Sequence, residues 1–292
     1  MPKGFFTSER WSCMLQVKSF SGATHAEQIQ NAINAASVSN TDKTVQLEEF
    51  KDYSITAPIV VKKNVELLFG YGTKFVVDGN IRLLSLEQNA TITKPYIAIQ
   101  DPTFDSEVFY LDGKHKYYNT WNRSAVTNGV IVNWAGSYKG VGISCFAGGA
   151  GHEISFVNFF DVKISGLRRG IELKASKPAT GMAWVNANRF NDISIDDCVE
   201  MIVIDSAETV PNECSGNMFT GLQLQPSAMT QLILQVNGQQ NRFEGMLWDT
   251  HLITNPGAIV KLTATSSYNK VDFNGTIPSG KVSNANATNK VM

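Results

Sequence analysis

From Val157 onward the chain repeats one pattern of apolar and polar positions. The run VNFFDVKI (157–164) is followed seven residues later by Ile171, Glu172 and Leu173. NRFNDISI (188–195) is followed, again after seven, by Ile202, Val203 and Ile204, and NMFTGLQL (217–224) leads to Leu232, Ile233 and Leu234. NRFEGMLW (241–248) leads to Ile259, Val260, Lys261 and Leu262, and a fading copy begins at Asn269. Each unit holds two short runs that alternate with period two, too short for helices and bounded by turn residues, which predicts paired strands.

The asparagines at 188, 217, 241 and 269 lie 29, 24 and 28 residues apart. A unit of that size cannot bury its own apolar face, whereas stacked coils bury it in common. The recurring asparagine fits an internal amide ladder at a turn. The predicted fold is all-β, a single-stranded right-handed parallel β-helix.

The N-terminal part predicts a short capping helix. Thr24 and Glu27 form a capping box, and Ala26, Ile29, Ala32, Ile33 and Ala36 follow at helical spacing. Such a helix would cover the open end of the solenoid. Strand-sized runs at Thr44–Leu47, Tyr53–Ile55, Ile59–Val61, Val65–Phe69 and Lys74–Val77 come next. The expected organisation is an N-terminal segment (1–22), the β-helix (23–275) with an excursion near 101–138, and a polar tail or cap (276–292).

Composition agrees with a β-protein: 43% hydrophobic, only 17% charged, with 23 glycines. The 25 Lys+Arg against 26 Asp+Glu leave a net charge of −1, without the basic footprint of a nucleic-acid binder. No apolar run approaches the ~20 residues of a membrane span, and the N-terminus lacks the apolar core of a signal peptide. The four cysteines show no zinc or thioredoxin spacing, so buried free thiols are expected. No metal or cofactor is expected.

The order of helix, "TVQLEEFKDYSITAPIVVKKNVELLFGYGTKFVV" and N-x-F coils resembles the pectate-lyase-like superfamily, and within it the β-helix domains of bacteriophage tailspike and pre-neck appendage proteins, over roughly 23–275. The resemblance implies a virion protein acting at the bacterial cell surface. It implies binding of a surface polysaccharide or teichoic acid on the outside of the solenoid, glycosidic cleavage, and a homotrimer. Outward apolar positions at Val203, Ile233 and Leu247 would supply the interface. The alternatives are a non-enzymatic receptor-binding spike and a bacterial polysaccharide lyase.

Alternation points Glu172, Lys174, Val203 and Asp205 outward. Stacking Ile171 on Ile202 sets Val203 above Glu172 and Asp205 above Lys174. Glu172 and Asp205 then lie roughly 8 Å apart, from strands ~4.8 Å apart and two residues spanning ~6.6 Å. That falls within the ~6.5–9.5 Å of an inverting glycosidase's two carboxylates. The competing account is a surface ladder in which Asp205 pairs with Lys174.

Asp196-Asp197-Cys198-Val199-Glu200 resembles the paired-aspartate motif of the polygalacturonase family, but no Gly-His-Gly or Arg-x-Lys follows on later coils. The competing account places Glu200 over Arg169 as an ion pair at a turn. Arg168 and Arg169, on the same turn of the preceding coil, are candidate substrate-binding residues. In the excursion, Phe104, Phe109, Tyr110, Tyr117, Tyr118, Trp121, Trp134 and Tyr138, edged by Asp112, His115 and Arg123, would form a glycan-binding wall or pack against the solenoid. The glycine run at 148–151 lacks the Lys-Ser/Thr of a P-loop and reads as a turn.

Overall fold

A computed structural model describes residues 14–117, 121, 123–206, 213–275 and 277–292. It is a parallel β-helix. The strands stack into a 15-stranded sheet, a nine-stranded sheet and a small three-stranded sheet, and the named strand pairings are parallel. One coil runs from the small sheet (His152–Ser155) through the long sheet (Asn158–Ser165) to the nine-stranded sheet (Arg169–Ala175), then returns to the small sheet at Ala183–Asn186.

The register is the one that the repeat predicts. Ile171 pairs with Ile202, Glu172 with Val203, Lys174 with Asp205 and Arg169 with Glu200. Phe159, Phe190, Phe219 and Phe243 form an inner stack with ring centroids 4.7, 4.4 and 4.8 Å apart. At the turn into the long sheet the buried asparagines form the expected ladder. Asn188 Nδ2 donates to Asn217 Oδ1, Asn217 to Asn241, Asn241 to Asn269 and Asn269 to Asn289, each at 3.0 Å. Asn289 is a fifth rung that the repeat pattern does not reveal.

Two columns of left-handed backbone recur along the solenoid. Asn64, Asn89, Phe156, Ala187, Gly216, Gln240 and Tyr268 share one turn position with φ between 55° and 64°. Lys94, Asn128, Asp161, Asp192 and Gly221 share a second, with φ between 50° and 67°. The second column bends the long sheet into two limbs, which we call the first and second limb in chain direction. Asn, Asp and Gly tolerate this conformation best, and they fill most of the bend.

The helix (His25–Val38) begins as predicted: Thr24 Oγ1 accepts from Glu27 N–H, and Glu27 reaches back to the amide of Ala23. The five residues predicted to face the core are all buried. Residues 101–138 do not leave the solenoid as a whole. Glu107–Asp112 and Ala125–Asn133 are rungs of the nine-stranded and long sheets. At the other end, Val282–Asn284 and Lys290–Val291 pair onto the same two sheets.

The apolar strip expected at Val203, Ile233 and Leu247 is not exposed; the three are 4%, 0% and 4% accessible. Leu247 stacks on the inward Leu224. Ile233 stands at the corner occupied one coil earlier by Met201 and before that by Gly170, where a Cβ would meet Ile195 side-chain atoms at 3.0 Å. Two consecutive residues face inward at this corner, so strict alternation fails there.

Candidate functional site

The sequence-derived residues fall into separate places. Glu172 and Asp205 lie diagonally on the outer face of the nine-stranded sheet, as the register requires. Glu172 is bound to the guanidinium of Arg169, whose Nε also donates to Glu200 at 2.8 Å. These side chains are 17–30% exposed, so one arginine holds two carboxylates on a largely covered face. No Lys174–Asp205 ion pair forms within 4.0 Å, although the two residues are paired in register.

The aromatic segment is divided. Phe104, Phe109 and Tyr117 are fully buried, and the Tyr117 hydroxyl donates to the Leu86 carbonyl, so Tyr117 is a core residue with no face for a ligand. Burial raises its phenol well above the ordinary value of 10.0. Tyr118 lies outside the described residues. Trp121 is 83% exposed. Arg123 is exposed too, its backbone fixed by Asn89 and Thr91 at the start of the long sheet's first limb. Trp134 lies past the far end of the same strand, so the two ends of the segment do not form one wall.

A different grouping forms on the outer face of the second limb. Tyr96, Val130, Lys163 and Ser194 are consecutive rungs of one outward row, and Val132, Ser165 and Asp196 form the row beside it. Together they line a groove of about 380 Å³. Its floor is aliphatic because Val130 and Val132 occupy outward positions that carry polar residues on later coils. Trp134 folds back over the N-terminal end, edge-on to Tyr96 at 6.3 Å, with Lys74 Nζ 5.5 Å from the indole centroid. Lys163 is neutralised by Asp161 at 2.7 Å.

Asp196 stands at the other end, three strand spacings or roughly 14 Å from Tyr96. Burial against the groove and then the adjacent Asp197 raise its carboxyl above the ordinary 3.8. Asp197, in a left-handed turn (φ 51°), accepts a 2.7 Å hydrogen bond from the Tyr138 hydroxyl, which ties it to the turn two coils earlier. Arg168 lies 3.4 Å from Asp105, which also accepts from the Gly140 amide, so Arg168 clasps two turns together. Tyr96 escapes sequence reading because its placement needs the register of coils before residue 157, and Lys163, inside the first repeat unit, because its groove partners Tyr96, Val130 and Val132 lie in those coils.

Among the described residues, no group of three or more His, Cys, Asp or Glu is arranged to hold a metal ion, and no helix is long and apolar enough to cross a membrane. Comparison with known proteins returns nothing: no family model, no curated protein and no solved structure matches the chain.

Proposed function

We propose that this chain is the glycan-binding solenoid of a tailspike-like virion protein and that a bacterial surface polysaccharide or teichoic acid lies along the second limb. The supporting observation is the groove from Trp134 and Tyr96 to Asp196, which combines what a sugar chain needs. Aromatic and aliphatic surface meets the C–H faces of the rings, and hydroxyl, carboxyl and ammonium groups at the rim meet their hydroxyls.

The environment of Asp196 favours a second reading, in which binding is followed by hydrolysis. A carboxyl whose grip on its proton is strengthened is the best suited of the groove's groups to act as a general acid. Asp196 gives its proton to the glycosidic oxygen as the C–O bond breaks. Water adds to the anomeric carbon, and its surplus proton returns through solvent to Asp196.

Native electrophoresis in gels containing purified capsular polysaccharide, O-polysaccharide or wall teichoic acid tests binding; reducing-end release tests cleavage. Retardation lost in Trp134→Ala supports the groove, and retardation by none of the glycans refutes it. Product made by wild type and not by Asp196→Asn supports hydrolysis. Loss in Glu172→Gln/Asp205→Asn with Asp196→Asn fully active would move the chemistry to the nine-stranded sheet.

A further inference from the structure

The groove ends at Asp196, but the outward row that floors it continues. In register, Tyr96, Val130, Lys163 and Ser194 are followed by Gln223, Met246 and Asn274. Those last three line a second depression of about 450 Å³, together with Glu244, Gly245 and Asp272. The two hollows therefore follow one another along the solenoid axis beside one shared outward row.

Trp248 stands beside the second hollow much as Trp134 stands beside the first. It follows the inward Leu247, its amide donates to the Leu224 carbonyl at 2.9 Å, and it continues the row of Asp196 and Gln225. Its indole N–H donates at 2.9 Å to Gln223 Oε1, which lays the ring back over the sheet. Gln225 in turn donates to Asp249 at 2.6 Å, bracing the turn that carries the tryptophan. The ring is 45% exposed, close to the 47% of Trp134. Two half-exposed indoles thus flank this row, one beside Tyr96 and one over Gln223, four strand spacings or roughly 19 Å apart along it. Asp196 lies between them.

We propose that Trp248, with Gln223 and Met246, forms a second sugar-binding subsite beyond Asp196, so that one linear glycan lies across both hollows and meets both indoles. This rests on the glycan-binding reading of the first groove. The carboxylates of Glu244 and Asp272 are adjacent in register and line the hollow, where they offer acceptors to sugar hydroxyls.

The test uses the full chain in gels cast with graded capsular polysaccharide, O-polysaccharide or wall teichoic acid, comparing wild type, Trp134→Ala, Trp248→Ala, the double variant and Val38→Ala, a surface control on the helix. Each single tryptophan variant is expected to bind about tenfold more weakly, and the double variant about a hundredfold, as independent contacts on one ligand require. Gln223→Ala, which frees the indole without removing it, should weaken binding about threefold, by the same free-energy scale. Trp248→Ala and Gln223→Ala binding like wild type while Trp134→Ala weakens would overturn the second subsite and leave the first groove standing. Neither tryptophan mattering, or no glycan retarding wild type, would overturn both.

Discussion

Replacing Asn217 by alanine tests whether the asparagine ladder is a principal support of the solenoid. Its side chain makes four hydrogen bonds while fully buried. Oδ1 accepts from the backbone and side-chain amides of Asn188 at 3.1 and 3.0 Å, and Nδ2 donates to the Val185 carbonyl at 2.9 Å and to Asn241 Oδ1 at 3.0 Å. At about 1 kcal/mol each these come to about 4 kcal/mol, and a stranded donor on Asn188 adds roughly 1–2 kcal/mol. The expected loss is therefore about 5 kcal/mol. The same substitution at Asn289 should cost a comparable amount, because its Oδ1 accepts from both the backbone and side-chain amides of Asn269 and its Nδ2 donates to Ser266 and Asn284. Urea unfolding followed by circular dichroism and tryptophan fluorescence would give both values, provided the two probes coincide and the m-value is unchanged. A loss below about 1.5 kcal/mol at Asn217 would refute the argument.

Three other outcomes are expected. Ala187→Gly should raise stability by about 0.5 kcal/mol in the same assay, because relieving a left-handed non-glycine residue (φ 55°) is worth about 1–2 kcal/mol and outweighs the entropy cost of glycine; Gly216 already fills that place one coil later. Asp196→Asn should raise the urea midpoint at pH 7 and lose that advantage as pH falls through 3.8. A carboxyl whose folded pKa is raised binds more protons folded than unfolded, so it penalises the native state above that window and not below it. Cys145, Cys198 and Cys214 are buried, with the last two pushed up to about 12 by desolvation, so a thiol reagent at pH 8 should label them only after unfolding.

The fold was legible where neighbouring coils share a chemical signature. Ladders of Ile171 on Ile202 and Asn188 on Asn217 follow from identical residues at nearly constant spacing, and they carry the register of everything outward, including Arg169 beneath Glu200. The coils before residue 157 lack that signature. There the rungs Glu107–Asp112 and Ala125–Asn133 were hidden inside an aromatic stretch, and Tyr117 could not be told from a surface ring. Composition shows that aromatics are plentiful; only pairing shows which of them the core already encloses. The corner that turns Ile233 inward was illegible for another reason. Its inward direction is set by backbone geometry, and glycine at the equivalent positions of two earlier coils leaves no side chain to betray it.

The left-handed columns give the solenoid a property that its loops do not share. Successive asparagine rungs are 29, 24 and 28 residues apart, yet each step advances the backbone by one strand. Distance along the axis is therefore counted in coils, not in residues. The two indoles are set apart by a ruler whose graduation is a hydrogen bond, and lengthening a loop leaves the reading unchanged. Adding or removing a whole coil would shift it by one division of ~4.8 Å.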